Sequence, residues 1–215
     1  MHNLTVVIPT RNRLVKLEKT LESIPQLDYI TTHVICDGDK DTFNFLNDNY
    51  SIRTTLINEH MGAVFCRNQI LQHCNDGILY ATDDVIFHTN SIQNAYKTFN
   101  DTFPDDDGVV GFVQEPGEFH PVGVALVGQK FLSRYPNKQL FNPGYFHFAC
   151  QEIFWLCEHL GNHFIQDPLA VLTHKHPCKF REEMDQTHRD ARIRRQEDHK
   201  LIKDRQVRGL IWGMQ

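Results

Sequence analysis

Two adjacent acids, Asp83 and Asp84, stand between two apolar runs, and their placement suggests chemistry more directly than any other feature of the sequence. The run before them, residues 77–81, opens with Gly and is rich in β-formers, which is typical of a buried strand. An unpaired buried carboxylate is strongly unfavourable, so two acids at a strand end require a cation or a bound ligand. A turn, or an N-cap for a helix starting near residue 91, explains one acid more readily than two.

Two histidines late in the chain, His174 and His176, offer partners for such a cation. They end a predicted strand at residues 169–173, and residues two apart on a strand share a face, so both imidazoles can point at one ion. The chain holds 13 His, so the pair also arises readily by chance. Combined with Asp84, imidazole and carboxylate would suit Mn²⁺ or Mg²⁺, with phosphate oxygens completing the coordination shell.

The first half of the chain alternates apolar runs with polar loops and helical patterns. Strands are predicted at residues 4–8, 33–36, 54–57 and 77–81, and polar groups follow them at residues 9–13, 37–41, 58–62 and 82–84. This alternation predicts an α/β fold with a mostly parallel central sheet and helices on both faces. Ligands of such sheets bind beyond the carboxyl ends of the strands, so the four polar groups should form one site for a nucleotide-like ligand.

The second half is less regular. Helices are predicted at residues 91–99 and 150–160, and strands at residues 109–113 and 169–173. From residue 181 to about residue 206 the sequence is charged throughout, which predicts a surface helix or a partly ordered tail, and the apolar residues 210–212 should dock back on the body. We therefore predict one domain over residues 1–180, with halves at 1–88 and 89–180, followed by a tail at 181–215.

Composition indicates an ordinary globular protein. Hydrophobic residues are 40% and charged residues 23% of 215 residues. No apolar run approaches the roughly 20 residues that span a bilayer, and no signal peptide is recognisable. The six cysteines include no CxxC pair, which fits reduced thiols in a reducing compartment. The expectation is a soluble, cytoplasmic protein with no membrane partner.

Charge is unevenly distributed along the chain. The formal net charge is −5, but residues 175–215 carry +4 and the remainder carries −9. A basic tail on an acidic body can contact an anionic partner, although a solvated helix face is the commoner explanation of such a pattern.

The motifs together resemble the inverting, GT-A-fold glycosyltransferases often called family 2-like. The resemblance covers residues 4–176 and lies in four segments, namely Val6-Val7-Ile8-Pro9-Thr10-Arg11-Asn12-Arg13, Cys36-Asp37-Gly38-Asp39-Lys40-Asp41, residues 62–68 with Arg67-Asn68, and Thr82-Asp83-Asp84. The last segment falls on the Asp-x-Asp metal motif, with Thr82 in place of its first acid. Cys36 likewise replaces the first Asp of the second motif.

The resemblance implies roles for these residues. The nucleotide-sugar donor would contact Pro9, Thr10, Arg11, Asn12, Asp37, Gly62, Arg67 and Asp83. Asp37 would meet the nucleobase, and Asp83 would contact ribose or water. Asp84, with His174 or His176, would hold Mn²⁺ or Mg²⁺.

An inverting transferase also needs a base that takes the proton of the acceptor hydroxyl. In the family this base is an acid before a helix, and Cys150-Gln151-Glu152 stands where that motif is expected. Glu152 is therefore the candidate catalytic base. The alternative is a first-turn acid that is favoured by the helix dipole.

The hypothesis from the sequence is a metal-dependent transferase that uses a nucleotide sugar, UDP-linked, and a soluble acceptor. Small relatives of this type occur in bacteriophages, where some glycosylate hydroxymethylated bases in DNA, and the closely spaced Arg189, Arg192, Arg194 and Arg195 would suit contacts to DNA phosphates. The alternative is a non-catalytic nucleotide-binding module or a nucleotidyltransferase. The latter usually opens with a Gly-rich phosphate loop, and residues 9–13 contain no Gly. The sugar, the acceptor and the oligomeric state stay open.

Overall fold

The computed structural model describes residues 3–117, 120–147, 149–180 and 184–214. The strands are β1 (Leu4–Thr10), β2 (Ile30–Asp37), β3 (Arg53–Ile57), β4 (Gly77–Tyr80), β5 (Val85–Phe87), β6 (Val109–Glu115), β7 (Ala125–Val127) and β8 (Phe164–His174). The helices are α1 (Leu14–Glu22), α2 (Lys40–Asn49), α3 (Ala63–Leu71), α4 (Ser91–Thr102), α5 (Gln129–Leu132), α6 (Cys150–Leu160), α7 (Pro177–Phe180) and α8 (Gln186–Val207). The predicted boundary between domain and tail falls at residues 181–183, outside the described residues.

All these strands form one sheet in the order β3-β2-β1-β4-β7-β6-β8-β5. The first half of the chain is parallel, as predicted, because β1 pairs with both β2 and β4, and β2 pairs with β3. The second half is mixed. β7 runs antiparallel to β4 and β6, β8 runs parallel to β6, and β5 runs antiparallel to β8. In the part of the chain that the structure describes, no helix is long and apolar enough to cross a membrane.

Helices cover both faces of the sheet because the central strands are apolar on both sides. Every residue of β1 is buried. Val6 and Ile8 point into a core with α1, α2 and α4, whereas Val7 points into a second core with α3 and α6. Each fully buried Val or Ile contributes about 1.5–3 kcal/mol relative to an exposed one, so β1 is a rigid base for the loop that follows it.

The apolar run around the two acids is divided between two strands. β4 ends at Tyr80, and the chain returns as β5 at the far edge of the sheet. Asp83 and Asp84 lie in the loop between these strands, and both are buried. The β5–β8 register places Val85 opposite His174, which brings a late histidine beside Asp84.

The charged C-terminal segment is a long helix packed on the body. Most side chains of α8 are exposed, but Asp198 is buried and Leu201 and Ile202 pack on the second core. Ile211 and Trp212 join the same core, and the Trp212 indole N–H donates to the carbonyl of Gln139 at 2.7 Å. At the other end of α8, its N-cap residue Asp185 pairs with Arg13, in the loop that follows β1.

Candidate active site

A cleft lies beyond the carboxyl ends of β1, β2 and β4, where the topology of a parallel sheet places ligand sites. Most of the residues predicted to form a site line this cleft, namely Pro9, Thr10, Arg11, Asp37, Gly62, Asp83, Asp84, His174 and His176. Three others do not: Asn12, Arg67 and Glu152. The cleft also contains Arg13, His60 and His188, which the sequence analysis did not single out.

Asp83 is a structural acid at the floor of the cleft. It accepts hydrogen bonds from the Thr10 hydroxyl and from Arg13 Nη1, each at 2.8 Å. Burial raises the pKa of Asp83, although Arg13 opposes that shift. For Arg13, burial alone would lower the pKa, but Asp83 and Asp84 outweigh it and keep the guanidinium charged. Asp83 therefore fixes the β1 loop, and its predicted contact with ribose or water stays a prediction.

Asp84 faces two imidazoles rather than one. Its Oδ1 lies 3.3 Å from His174 Nε2, and its Oδ2 lies 3.6 Å from His188 Nε2. Burial alone would raise the pKa of Asp84, but His174, His188 and Arg13 hold it well below the usual range for a carboxyl. Asp84 is therefore ionised, as a metal ligand must be.

The donor atoms around Asp84 fit a divalent cation. Ligand atoms bound at about 2.1 Å lie about 3.0–3.4 Å from their neighbours. The 3.3 Å between Asp84 Oδ1 and His174 Nε2 lies in this range, whereas the 3.6 Å between Asp84 Oδ2 and His188 Nε2 lies outside it. His174 Nδ1 lies 3.0 Å from Gln114 Oε1, an arrangement that can hold a proton on Nδ1 and that turns Nε2 toward Asp84. Among the described residues, no group of three or more His, Cys, Asp or Glu side chains could hold a metal ion by itself. A cation here would thus share its shell with ligand oxygens, as Mg²⁺ commonly does.

His176 is in the cleft but its geometry differs from that of His174. The backbone N–H of Cys178 donates to His176 Nδ1 at 3.2 Å, which favours a proton on Nε2. Its ring packs edge-on against His188, with centroids 4.7 Å apart. Burial lowers the pKa of His176 to about 4, so it is neutral at physiological pH. Of the two predicted alternatives, the contacts favour His174 as the ligand.

Asp37, at the end of β2, organises the loop on the other side of the cleft. Its carboxylate accepts from the backbone N–H groups of Met61 at 2.7 Å and Gly62 at 2.9 Å, and lies 2.7 Å from His60 Nδ1. The neighbouring acid Asp39 caps α2 and also accepts from the backbone N–H of Asn12 at 2.7 Å. Asp37 and Asp39 therefore hold loops together at the rim of the cleft.

Gly62 lies in a backbone conformation that favours glycine and in close contact with a neighbour. Its φ is 91° and ψ is 162°, and a Cβ would lie 2.7 Å from the carbonyl oxygen of Phe146. Gly161, at the end of α6, has a similar conformation, with φ 67° and ψ 145°, but nothing lies within 4 Å of its Cβ position. Comparing the same substitution at the two glycines therefore distinguishes the cost of backbone strain from the cost of the contact with Phe146.

We expect Gly62→Ala to lower the free energy of unfolding more than Gly161→Ala does. Both changes incur a backbone penalty of about 1–3 kcal/mol. At Gly62 the clash with Phe146 should add at least about 1 kcal/mol, because backbone atoms cannot move aside as a flexible side chain can. Urea denaturation of both variants measures the difference. Equal losses would mean that the contact between the 62 and 146 loops does not matter for stability.

Arg67 lies behind the cleft. It is buried, donates to the carbonyl of Ala81 at 2.9 Å and packs over the rings of Tyr80 and Phe141. These contacts fix the end of β4, and the predicted contact of Arg67 with the donor stays a prediction.

Glu152 is held in a buried ion pair away from the cleft. Its carboxylate accepts from Arg205 Nη2 at 2.9 Å, from the backbone N–H of Trp212 at 2.6 Å, and from the Tyr145 hydroxyl. A general base must reach the acceptor hydroxyl, and a carboxylate bonded on both oxygens is poorly placed to do so. The catalytic role of Glu152 stays a prediction, while its contacts favour a structural one.

The segment that begins α8 lies across the mouth of the cleft. Asp185 pairs with Arg13 Nε at 2.9 Å and with Lys16 at 3.1 Å, and Asp190 forms an ion pair with Arg11. The Thr187 hydroxyl donates to the carbonyl of Arg11 at 2.8 Å. The sequence predicts a solvated surface helix here, because the segment lacks an apolar periodicity. The sequence does contain one signal for a structured helix start here, because Asp185, three residues before His188, is a favourable N-cap residue.

No family model matches the sequence, and comparison with curated proteins finds no relative. Comparison with solved structures does find similar folds. Residues 1–349 of S. aureus TarS align with a TM-score of 0.61 at 14% identity, over 87% of this chain and 68% of that one. GalNAc-T7, crystallised with UDP, GalNAc and Mn²⁺, aligns with a TM-score of 0.65 at 13% identity, over 81% of this chain and 44% of that one.

A third similar structure is glucosyl-3-phosphoglycerate synthase from Mycobacterium tuberculosis, in complex with Mn²⁺, UDP and phosphoglyceric acid. It aligns with a TM-score of 0.63 at 15% identity, over 81% of this chain and 71% of that one. All three are GT-A-fold glycosyltransferases. The fold expected from the four sequence motifs is thus confirmed: this chain has the GT-A fold of nucleotide-diphospho-sugar transferases.

Proposed function

We propose that the chain is a metal-dependent glycosyltransferase, which moves a sugar from a nucleotide-sugar donor to an acceptor hydroxyl with inversion. The observation that carries this proposal is the buried Asp84, which lies in the loop between β4 and β5 and faces two imidazoles in the cleft. GalNAc-T7 and the mycobacterial synthase, which share the fold, are crystallised with UDP and Mn²⁺. We therefore propose a UDP-linked donor and a divalent cation, Mn²⁺ or Mg²⁺.

Asp84 and His174 would hold the cation, which when bound neutralises the charge that builds on the departing diphosphate. The protein groups around the cation hold the loops that line the cleft. Arg13 and Asp83 fix the β1 loop, so that Pro9, Thr10 and Arg11 form the wall against the nucleotide. Asp37 fixes residues 60–62 on the opposite wall. The site is thus preorganised by buried hydrogen bonds rather than assembled by the donor.

The acceptor would enter beside α8, where the exposed Arg189, Arg192 and Arg195 follow the residues that line the cleft. This placement supports an anionic acceptor, and we propose duplex DNA with hydroxymethylated bases, as in bacteriophage systems. Binding to such DNA should weaken steeply with salt and fall when these three arginines are replaced by Gln. Absence of binding at low salt would contradict the DNA proposal and leave the donor chemistry unaffected.

A thermal-shift screen of nucleotide sugars, with and without Mn²⁺, tests the donor proposal. A ligand at a hundredfold excess over Kd stabilises the native state by about 2.7 kcal/mol, which is about 5–11 °C in Tm for a chain of this size. We expect a UDP-sugar to raise Tm by this amount only when Mn²⁺ is present. No shift with any nucleotide sugar and metal would contradict the proposal.

The second hypothesis, a nucleotide-binding module without turnover, predicts the same shift. The two are separated by the slow hydrolysis of a UDP-sugar that a transferase shows without its acceptor. UDP release that depends on Mn²⁺ would exclude the binding module.

A further inference from the structure

We infer that His60, in the loop after β3, recognises the base of the nucleotide donor by accepting the N3–H of uracil at its Nε2 atom. This inference rests on the proposed function and adds a specificity-determining residue to its site. The family resemblance gives this role to Asp37, next to which His60 lies in the cleft.

The first observation is the position of His60 along the cleft. The cleft extends from Asp84 over the ends of β1 and β2 to the loop after β3, which contains His60. β4, β1 and β2 are successive neighbours in the sheet, so the ends of β4 and β2 lie about 10 Å apart. A ribose spans a comparable length, so a nucleotide with its diphosphate beside Asp84 would place its base near His60.

The second observation is that Asp37 is already bonded within the protein. Its Oδ1 accepts the backbone N–H of Met61 at 2.7 Å, and its Oδ2 accepts that of Gly62 at 2.9 Å and lies 2.7 Å from His60 Nδ1. Asp37 is also buried. A base that paired with this carboxylate would compete with buried hydrogen bonds, which are costly to break. Asp37 is therefore better placed to orient His60 than to meet the base.

The contact with Asp37 also determines which nitrogen of His60 can accept a hydrogen bond. A carboxylate that accepts backbone N–H groups has no proton to give, so His60 Nδ1 carries the proton between them. In the neutral imidazole Nε2 is then an acceptor. The N3 atom of uracil carries a proton, whereas N3 of cytosine is itself an acceptor. A neutral His60 held in this way therefore favours uracil over cytosine.

The third observation is that Nε2 of His60 is buried and forms no hydrogen bond to any residue that the structure describes. Oδ2 of Asp190 lies 3.9 Å away, beyond hydrogen-bonding distance, and the Asp190 carboxylate is bonded to Arg11 and Gln186. Buried polar atoms without a partner are rare, and one beside a cleft points to a ligand. Arg11 is itself a proposed nucleotide contact, so a bound nucleotide would draw it from Asp190 and let that carboxylate turn away from Nε2.

The His60 ring is held in place for this contact. Phe146 packs edge-on against it, with ring centroids 5.2 Å apart and an angle of 87° between the ring planes. The backbone N–H of Phe146 donates to the buried Asp198 of α8 at 2.9 Å, which fixes this supporting residue in turn. With Asp37 on Nδ1 and Phe146 against the ring, His60 loses little side-chain freedom when a base binds.

The test compares the affinities of UDP and CDP, which differ only in the base, by isothermal titration calorimetry in buffer that contains Mn²⁺. We expect the wild type to bind UDP at least about tenfold more tightly than CDP, because cytosine would set two acceptors against each other. In His60→Asn the amide can still donate to Asp37, but no atom remains at the position of Nε2. The preference for UDP should therefore fall to about threefold or less. The matched control is His73→Asn, an exposed residue outside the cleft lining, which should keep the wild-type preference.

The outcomes separate this inference from the proposed function. If His60→Asn weakens UDP and CDP by the same factor, or keeps the wild-type preference, His60 only supports its loop, and the inference is wrong while the proposed function stands. If the wild type binds no nucleotide, both are wrong. Should His60→Asn fail to fold, N3-methyl-UDP gives the same test on the wild-type protein, because it lacks the donated hydrogen. It should bind at least about tenfold more weakly than UDP, and equal binding would overturn the inference.

Discussion

Asp84→Asn is expected to abolish turnover of the sugar donor while the chain stays folded. An amide has nearly the size of the carboxylate but lacks its charge, so it cannot hold a divalent cation against the diphosphate. If the cation stabilises the transition state by about 4 kcal/mol, losing it lowers the rate by about a thousandfold. The rate of UDP release from the donor measures this loss, and circular dichroism reports whether the fold is retained.

The control for this variant is Asp105→Asn, which removes an equal charge at an exposed ion pair with Lys130. It should turn over the donor at the wild-type rate. The Asp84→Asn protein should also lose the Mn²⁺ dependence of its thermal shift with UDP. Turnover above a tenth of the wild-type rate in Asp84→Asn would contradict the role proposed for Asp84.

Glu152→Gln is expected to lower stability strongly, because the buried carboxylate is the counter-charge of Arg205. Removing one partner of a buried ion pair costs about 3–5 kcal/mol. The Arg205 side chain keeps 14% exposure, so we take the lower limit of about 3 kcal/mol, equivalent to about 6–12 °C in Tm. The double variant Glu152→Gln/Arg205→Met should recover at least about 1 kcal/mol, since it leaves no unpaired charge.

This experiment also decides the catalytic prediction for Glu152. A general base replaced by Gln would lose about 10²–10⁴ in rate with Tm unchanged. The structural role predicts the reverse, a low Tm with near wild-type turnover per folded molecule. Glu158→Gln, on an exposed turn of the same helix, is the matched control and should change neither quantity.

The parallel half of the fold could be predicted because its signals are local. Each strand there is a short apolar run followed by its own polar loop, and the right-handed βαβ connection then fixes which loops meet. The rim with Asp37, Asp83 and Asp84 follows from that rule. β5 to β8 pair across long stretches of chain, and no local pattern specifies that β5 returns to the far edge.

The parts of the site that were missed depend on contacts distant in sequence. His188 meets Asp84 only because α8 folds back over the cleft, and its charged sequence gives no apolar stripe from which to predict that packing. Glu152 was placed correctly at the start of a helix, but its partner Arg205 lies 53 residues away. Arg13 could have been predicted as a site residue from the sequence, because it stands in the same polar loop as Arg11.

Asp185, Asp198 and Arg205 attach α8 to the body near its start, middle and end, so the C-terminal segment cannot be treated as a removable module. Deleting it would strip Glu152 of its counter-ion, leave the Phe146 and His147 amides without an acceptor, and uncover the apolar surface under Trp212. A shortened protein would thus lose acceptor binding through misfolding alone. Point substitutions on the solvent side of the helix are the informative way to dissect it.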